Sequence, residues 1–288
     1  MRPGRLLAIV ICILMTSACS EEPRHADTVA PATRTSSAPS VAFAAPATDT
    51  VTAQAVADAQ AVGAARGAHT AVALFDRQTG ALYSAGDIDE PYASASVMKV
   101  FIATRLLAEK RADDPTIREL MWRMITLSDD EATNRLYGIV GAESLIPWIT
   151  NYYGVSGLAP ADRPGWWGLT RITPRSIVTF YAAVAADPVV GPWLMDAMAQ
   201  TEPYGADGFY QHFGIPSAAR SWRVKQGWMC CLEGLTRMHS TGYVDNDRYT
   251  VALFLAGPPS LYHEGDGAAT LTAMARALLP DGTVPTAA

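Results

Sequence analysis

The order of strand-type and helix-type segments constrains the fold of this chain more than any other feature of its sequence. Strand patterns occur at 69–75 and 81–85, and they return only after about residue 220. A long helical stretch lies between them. The simplest assembly pairs both ends of the chain in one antiparallel sheet flanked by the terminal helices. The sequence therefore predicts an α+β fold, with a helical subdomain at about 103–210 and a cleft between the two parts.

The individual elements follow from the spacing of apolar residues and from capping and turn signals. An opening helix is predicted at 51–66 and a closing helix at 268–279, and residues 76–80 have the composition of a hairpin turn. The other predicted helices are 96–110, one that begins at Asp114-Pro115, 129–137, 142–153, 174–186 and 192–200. The other predicted strands are 222–225, 236–244 and 249–256.

The first 19 residues have the pattern of an export signal. Arg2 and Arg5 precede an apolar run at 6–15, which is short for a membrane span and typical of a signal-peptide core. Small residues then lead into Cys19, and this segment resembles a bacterial lipobox, although Thr16 stands where such boxes prefer Leu. The resemblance implies that lipidated Cys19 anchors the protein to the cell membrane. Ordinary cleavage, which would release a soluble protein, is the alternative, and in both cases an extracytoplasmic location is expected.

The segment 20–50 is predicted to be a disordered tether. Proline, alanine, serine and threonine dominate it, and Phe43 is its only aromatic residue. Such a segment cannot bury enough apolar surface to offset the chain entropy lost on folding. The folded domain is therefore expected at 51–282, followed by a short tail at 283–288.

Composition and charge exclude several classes of protein. The chain is 49% apolar and 17% charged, which does not fit a coiled coil, a collagen-like fibre or a wholly disordered protein. The net charge is -6 and no basic block occurs, so a nucleic-acid partner is not expected. No cofactor is expected, and no metal site, because the histidines lack metal-ligand spacing. These are His25, His69, His212, His239 and His263.

The first candidate motif is Ser96-Val97-Met98-Lys99. On a helix, this spacing places a hydroxyl and an amine on one face, one turn apart. A serine hydroxyl is a poor nucleophile until a base removes its proton; a buried lysine with a lowered pKa can do this, whereas arginine stays protonated. Because the chain has 19 Arg and only three Lys, a lysine at this place is informative.

Two further motifs have simple structural explanations when each is taken alone. Ser128-Asp129-Asp130, followed by Asn134, lies between two predicted helices, where capping is the usual role of such residues. Lys225-Gln226-Gly227 lies on a predicted strand before Trp228, where an exposed edge lysine would be ordinary. In this order, however, the three motifs resemble the S-x-x-K, S-D-N and K-T-G signatures of the class A β-lactamase and penicillin-binding protein superfamily. The resemblance spans about 51–282.

The resemblance implies a class A β-lactamase-like fold and acyl transfer to a serine. Ser96 would be the nucleophile and Lys99 its general base. Ser128 would relay a proton to the leaving nitrogen, and Lys225 would keep Lys99 neutral and attract a substrate carboxylate. The N–H groups of Ser96 and Trp228 would form the oxyanion hole. The remaining implied roles are substrate or oxyanion contacts for Asp130, Gln226, Gly227 and Trp228, and a structural role for Asn134.

The chain also departs from the pattern of the superfamily. Asp130 replaces an asparagine that donates to the substrate, and an ionised carboxylate only accepts. Gln226 replaces a threonine or serine, and its amide is expected to donate from further away. The loop 159–173 lacks the glutamate that activates the deacylating water in class A β-lactamases; its only acid is Asp162, with Arg163 as the expected ion-pair partner. Slow deacylation is therefore expected.

Two pairs of residues near the cleft leave alternatives open. Trp166 and Trp167 are most simply packing residues, but they also suit a wall of the cleft. Cys230 and Cys231 are the only cysteines of the predicted domain. Neighbours on a strand point to opposite faces, so an ordinary bridge between them is not available. A vicinal disulfide, two free thiols and bonding to a partner all remain open.

The sequence supports two functions of different classes. The first is an exported serine acyl hydrolase that acts on β-lactams or peptidoglycan peptides through an acyl-enzyme on Ser96. The second is a non-catalytic lipoprotein that uses the same cleft to bind a cell-wall peptide or a protein. Asp130 and Gln226 favour binding alone, whereas Ser96 and Lys99 favour the enzyme.

Overall fold

The computed structural model describes residues 49–263 and 265–287; the predicted signal peptide, Cys19 and nearly all of the predicted tether lie outside them. The helices are α1 (Thr50–Ala65), α2 (Lys99–Ala108), α3 (Pro115–Thr126), α4 (Asp130–Ile139), α5 (Leu145–Tyr153), α6 (Pro174–Ala186), α7 (Gly191–Ala199), α8 (Ser260–His263) and α9 (Asp266–Leu278). The strands are β1 (His69–Asp76), β2 (Leu82–Ala85), β3 (Tyr92–Ala93), β4 (Arg171–Ile172), β5 (Trp222–Met229), β6 (Thr236–Val244) and β7 (Tyr249–Gly257). Within the described ranges, no single helix is long and apolar enough to cross a membrane; α6 and α7 reach that length only as a pair bent by 117°.

Five strands form one antiparallel sheet in the order β2-β1-β7-β6-β5. The register of β1 with β7 runs from His69 opposite Ala256 to Asp76 opposite Tyr249. The first and last strands of the chain therefore lie side by side within the sheet. The prediction of an α+β fold in which both ends of the chain pair in one sheet is confirmed.

Both faces of this sheet are buried. Because successive side chains of a strand point to opposite faces, Val72 and Leu74 of β1 join a core with α1 and α9. Ala73 and Phe75 join a second core, which the sheet shares with helices α2 to α7. This double burial explains why β1 and β7 are almost continuously apolar in sequence.

Capping residues begin two of the helices as the sequence predicts. The carboxylate of Asp114 accepts hydrogen bonds from the N–H groups of Thr116 and Ile117, with proline at the first position of α3. Thr173 begins α6 in a reciprocal capping box with Ser176. The end of the loop 159–173 is therefore fixed by the start of α6.

Two features near the cleft differ from the predicted elements. The predicted helix at 96–110 begins as a 3-10 turn, Ala95–Met98, and only then continues as α2. A two-residue pairing, Tyr92 with Ile172 and Ala93 with Arg171, joins β3 to β4. Segments this short give no periodic signal in the sequence, yet this one attaches the chain before Ser96 to the loop 159–173.

Candidate active site

Ser96 and Lys99 lie where the chain passes from β3 into α2. Ser96 is within the Ala95–Met98 turn, and Lys99 is the first residue of α2. Both side chains are buried, and Nζ of Lys99 lies 2.8 Å from Oγ of Ser96. Ala95 has a φ of 45°, a left-handed conformation that is uncommon for residues other than glycine and that clusters at functional sites. The turn thus places the hydroxyl and the amine within hydrogen-bond distance of each other.

Ser128 lies between two lysines. It precedes α4 and has a φ of 52°, again left-handed. The amine of Lys99 donates to the Ser128 carbonyl at 2.6 Å and lies 3.0 Å from its Oγ. The amine of Lys225 lies 2.9 Å from the same Oγ. Asp129 caps α4 through the N–H of Ala132, so capping explains Asp129 but not the position of Ser128.

β5 brings Lys225 into this cluster from the edge of the sheet. The side chain of Lys225 is fully buried, which rules out the explanation of an exposed edge lysine. A Cβ atom on Gly227 would lie 3.0 Å from the carbonyl oxygen of Ser94 and 3.1 Å from Cγ2 of Val97. Glycine at this position therefore allows β5 to approach the turn that carries Ser96.

Burial and charge determine the protonation of the two lysines. Burial lowers the pKa of Lys99, and the carboxylate of Asp130 partly opposes that effect. Oδ1 of Asp130 lies 2.6 Å from Nζ of Lys99. Burial, followed by the positive charge of Lys99, lowers the pKa of Lys225 well below its ordinary value. Protonation of one lysine therefore disfavours protonation of the other. The negative charge of Asp130 compensates the positive charge of one protonated lysine.

A cleft of about 380 Å³ opens over Ser96, and three tryptophans line it. Trp166 is 48% exposed, so it forms a wall rather than part of the core. Trp167 both packs and lines the cleft: its indole N–H donates to Oδ1 of Asn134 at 2.8 Å, and its ring centre lies 5.1 Å from Nζ of Lys99. Trp228 donates from its indole to Oδ2 of Asp207 at 3.0 Å. Asn134 thus connects α4 to the loop 159–173.

The side chain of Gln226 does not face the cleft, where the sequence predicts that its amide donates. Gln226 points away from Ser128, because neighbouring residues of a strand face opposite sides and Lys225 already faces Ser128. Its amide nitrogen instead donates to the buried carbonyls of Gln211 and Phe213.

The expected ion pair of Asp162 with Arg163 is wrong. Asp162 pairs with Arg171 of β4 at 3.1 Å, because the chain folds back so that Ala159 bridges Arg171. The guanidinium of Arg163 lies over the ring of Trp166, 4.7 Å from its centre. The loop 159–173 therefore presents aromatic rings to the cleft, while its only acid is held at the surface.

His239, a buried residue beside the site, has a contact that the sequence does not indicate. His239 of β6 lies opposite Gly227 of β5, and its Nε2 is 2.8 Å from the carbonyl oxygen of Ala93. It therefore contacts both the segment before Ser96 and the segment before Trp228. A lone histidine in an alternating strand gives no sign of such a contact; only the register of β5 with β6 reveals it.

The unfolding free energy is expected to fall as the pH drops from about 6.5 to about 4. Burial lowers the pKa of His239 from its ordinary 6.5 to about 4. The unfolded chain therefore takes up a proton in this range before the folded protein does, and the gap corresponds to about 3 kcal/mol. Urea unfolding across this range measures the slope, and His239→Gln should make it shallower. Equal slopes for the two proteins would contradict the assignment.

Comparisons with known proteins show the family and the fold of this chain. Residues 109–280 match the sequence profile of the Beta-lactamase enzyme family. The chain belongs to this family. A curated relative, named "Putative lipoprotein LppW" in Mycobacterium tuberculosis, is 32% identical over 233 residues, which cover 77% of this chain and 73% of the relative. The same name and figures apply to a protein of Mycobacterium bovis.

Solved structures share the β-lactamase fold at low sequence identity. A class A β-lactamase from Mycobacterium abscessus superposes with a TM-score of 0.62 at 17% identity, over 78% of this chain and 98% of that one. The structure of PBP-A gives a TM-score of 0.62 at 16% identity, over 84% and 98% of the two chains. The fold class predicted from the three motifs, class A β-lactamase-like, is confirmed.

Proposed function

We propose that this protein is an exported serine acyl hydrolase that forms an acyl-enzyme on Ser96 with β-lactams or peptidoglycan peptides and releases it slowly. Membership of the β-lactamase family supports a serine hydrolase type of function in general. One observation carries the finer proposal. The side-chain atoms of Ser96, Lys99, Ser128 and Lys225 form a continuous buried chain of contacts of 2.8 to 3.0 Å at the cleft.

Acylation would use this chain in order. Neutral Lys99 would take the proton of Ser96 as its Oγ attacks the substrate carbonyl. The proton would pass from Lys99 through Ser128 to the leaving nitrogen, since Oγ of Ser128 lies 3.0 Å from Nζ of Lys99. Lys225 would stabilise the negative charge that develops, and the N–H groups of Ser96 and Trp228 would hold the oxyanion.

Labelling with a fluorescent penicillin and with a fluorophosphonate tests this proposal. We expect a covalent adduct that peptide mass mapping assigns to Ser96, and no adduct on Ser96→Ala. Ser94, a buried serine on the same turn, offers a matched control, and Ser94→Ala should still be labelled. An adduct elsewhere, or none with either probe, would contradict the proposal. One structural neighbour, a mutant of PBP-A, has been solved as an acyl-enzyme complex with penicillin G.

Asp130→Asn is expected to move the pH dependence of Ser96 labelling toward lower pH. The carboxylate of Asp130 raises the pKa of Lys99 against the effect of burial. Without that charge, a larger fraction of Lys99 is neutral at a given pH, so the rising limb of the labelling rate should shift toward lower pH. Glu131→Gln is the control, because Glu131 is exposed and pairs with Arg135. Superimposable profiles for the wild type and Asp130→Asn would refute this role.

A binding-only function is the second candidate, and the Asp130 contact favours it. A carboxylate 2.6 Å from a lysine amine favours the charged form of that amine, and a charged amine cannot act as a base. In that case the cleft would bind a cell-wall peptide or a protein without reacting. Failure of both covalent probes, together with reversible binding of a peptidoglycan peptide, would establish this function.

Attachment to the cell membrane through lipidated Cys19 is also a proposal, supported by the lipobox resemblance and by the name of the mycobacterial relative. Cys19→Ala is expected to move the protein from the membrane fraction into the medium or to block its processing, because the acyl chains would have no attachment site. Immunoblotting of fractionated cells measures this. Wild-type protein that is cleaved and soluble would contradict it.

A further inference from the structure

Cys230 lies at the wall of the cleft, directly after β5, and Cys231 follows it in the chain. They are joined by a disulfide, one of the three alternatives that the sequence left open. Cys230 lines the cleft with Met229, two residues after Trp228. Both cysteines are only half-buried, so the pair is partly exposed to solvent.

A histidine lies beside both sulfurs. Nε2 of His263, at the end of α8, is 3.8 Å from Sγ of Cys230 and 3.7 Å from Sγ of Cys231. The hydroxyl of Thr236 donates to Sγ of Cys230 at 3.6 Å. With a proton on its Nε2, His263 can donate to a thiolate on either cysteine, and Thr236 can donate to one on Cys230. His263 is exposed and belongs to no other cluster described above.

We propose that Cys230, Cys231 and His263 form a thiol–disulfide exchange site, that a low-molecular-weight thiol reduces it, and that its redox state sets the rate of acylation at Ser96. The first thiolate attacks one Sγ and forms a mixed disulfide, while the electron pair of the broken bond leaves on the other Sγ, which gains a proton. His263 donates a hydrogen bond to this leaving thiolate. A second thiol then releases the mixed disulfide. The net change is one protein disulfide and two thiols converted to two protein thiols and one small disulfide.

The link to acylation follows from the position of the pair on the chain. The disulfide closes a small ring immediately after the strand whose Trp228 N–H is proposed for the oxyanion hole. Reduction opens this ring and frees the backbone that follows β5. Small displacements of positioned catalytic groups are costly in rate. This part of the inference rests on the proposed function, whereas the exchange chemistry does not.

The exchange site is tested on the full-length chain carrying Cys12→Ser and Cys19→Ser, so that only Cys230 and Cys231 remain. The folded protein is treated with 2-mercaptoethanol, alkylated with iodoacetamide and weighed intact. We expect no alkylation before the thiol and two alkylated cysteines after it. Alkylation without added thiol, or none after it in protein that is still folded, would overturn the proposal.

The role of His263 is tested by the rate of this reduction. His263→Asn is expected to slow it about tenfold, because exchange rates fall when the leaving thiolate is less stabilised. His69→Asn is the matched control, since His69 is also exposed but contacts Tyr92 and Glu90. A wild-type reduction rate in His263→Asn would overturn the assignment of this residue.

The coupling is tested by labelling Ser96 in the oxidised and the reduced protein. We expect labelling about tenfold slower after reduction, and no response to thiol in the double variant Cys230→Ser/Cys231→Ser. Equal labelling rates in the two redox states would overturn the coupling. Absence of any labelling in both states, with normal thiol exchange, would instead refute the proposed function and leave the exchange site in place.

Discussion

Lys99→Arg is expected to lower the rate of Ser96 acylation by about 10²- to 10⁴-fold, the range that the loss of a general base produces. The amine of Lys99 is buried, burial lowers its pKa, and it lies 2.8 Å from Oγ of Ser96. Arginine keeps the positive charge but does not give up its proton at any ordinary pH. The rate of adduct formation with a fluorescent penicillin measures the effect.

Controls separate the loss of a base from the loss of the fold. A guanidinium is larger than an amine, so the circular dichroism and melting temperature of the variant must match those of the wild type. Lys99→Met is a second variant, which removes the amine and fits a buried site. Its rate of Ser96 acylation should fall to the same degree. Lys110→Arg, an exposed lysine after α2, should label normally. Retained labelling of Ser96 in both Lys99 variants would refute the role of Lys99 as the general base.

A chromogenic cephalosporin is expected to give one equivalent of product and then a long-lived adduct on Ser96. Hydrolysis of the acyl-enzyme needs a base that activates a water. Among the described residues that line the cleft, Asp130 is the only acid, and its Oδ1 is bonded to Lys99. Trp167, rather than a carboxylate, faces Lys99 from the loop 159–173. Without a general base, this step is expected to be about 10²- to 10⁴-fold slower.

Product release and intact mass, followed together, measure the burst and the lifetime of the adduct. Asp162→Asn is the matched control, because Asp162 is 78% exposed and bonded to Arg171; it should leave the lifetime unchanged. Sustained turnover over many equivalents with no mass adduct would contradict the prediction and identify another base. Asp130→Asn would then show whether Asp130 supplies it.

The fold was predictable because its signals are long and repeated. The limits of α6 match the prediction residue for residue, since Thr173 and Pro174 mark its start and apolar spacing marks its course. Strand β6 also matches at both ends. The end of β5 was missed: the predicted strand stops at Lys225, but pairing with β6 extends it to Met229. Cross-strand pairing of this kind depends on a distant segment, so the residues of β5 alone do not indicate where the strand ends.

The sequence named residues that the structure brings together, but it did not indicate the directions of all their side chains. Spacing identified Ser96 and Lys99, and their contact follows from one turn of helix. It did not reveal that Gln226 faces the interior, which depends on the side of the sheet that Lys225 takes. The spacing also did not indicate the ion pair of Asp162 with Arg171. That pair forms only because the loop folds back so that Ala159 pairs with Arg171.

The pairing of β1 with β7 has a consequence for how the chain folds as it is made. β7 lies between β1 and β6, so the sheet cannot close before residue 257 has emerged. Until then β1 and β2 form only a hairpin of two strands, and such a hairpin is at best marginally stable in water. Contacts between residues this far apart in sequence also form slowly. A chain that leaves the ribosome, or crosses a membrane, from its N-terminus therefore lacks the complete five-stranded sheet until only about the last tenth of its length remains.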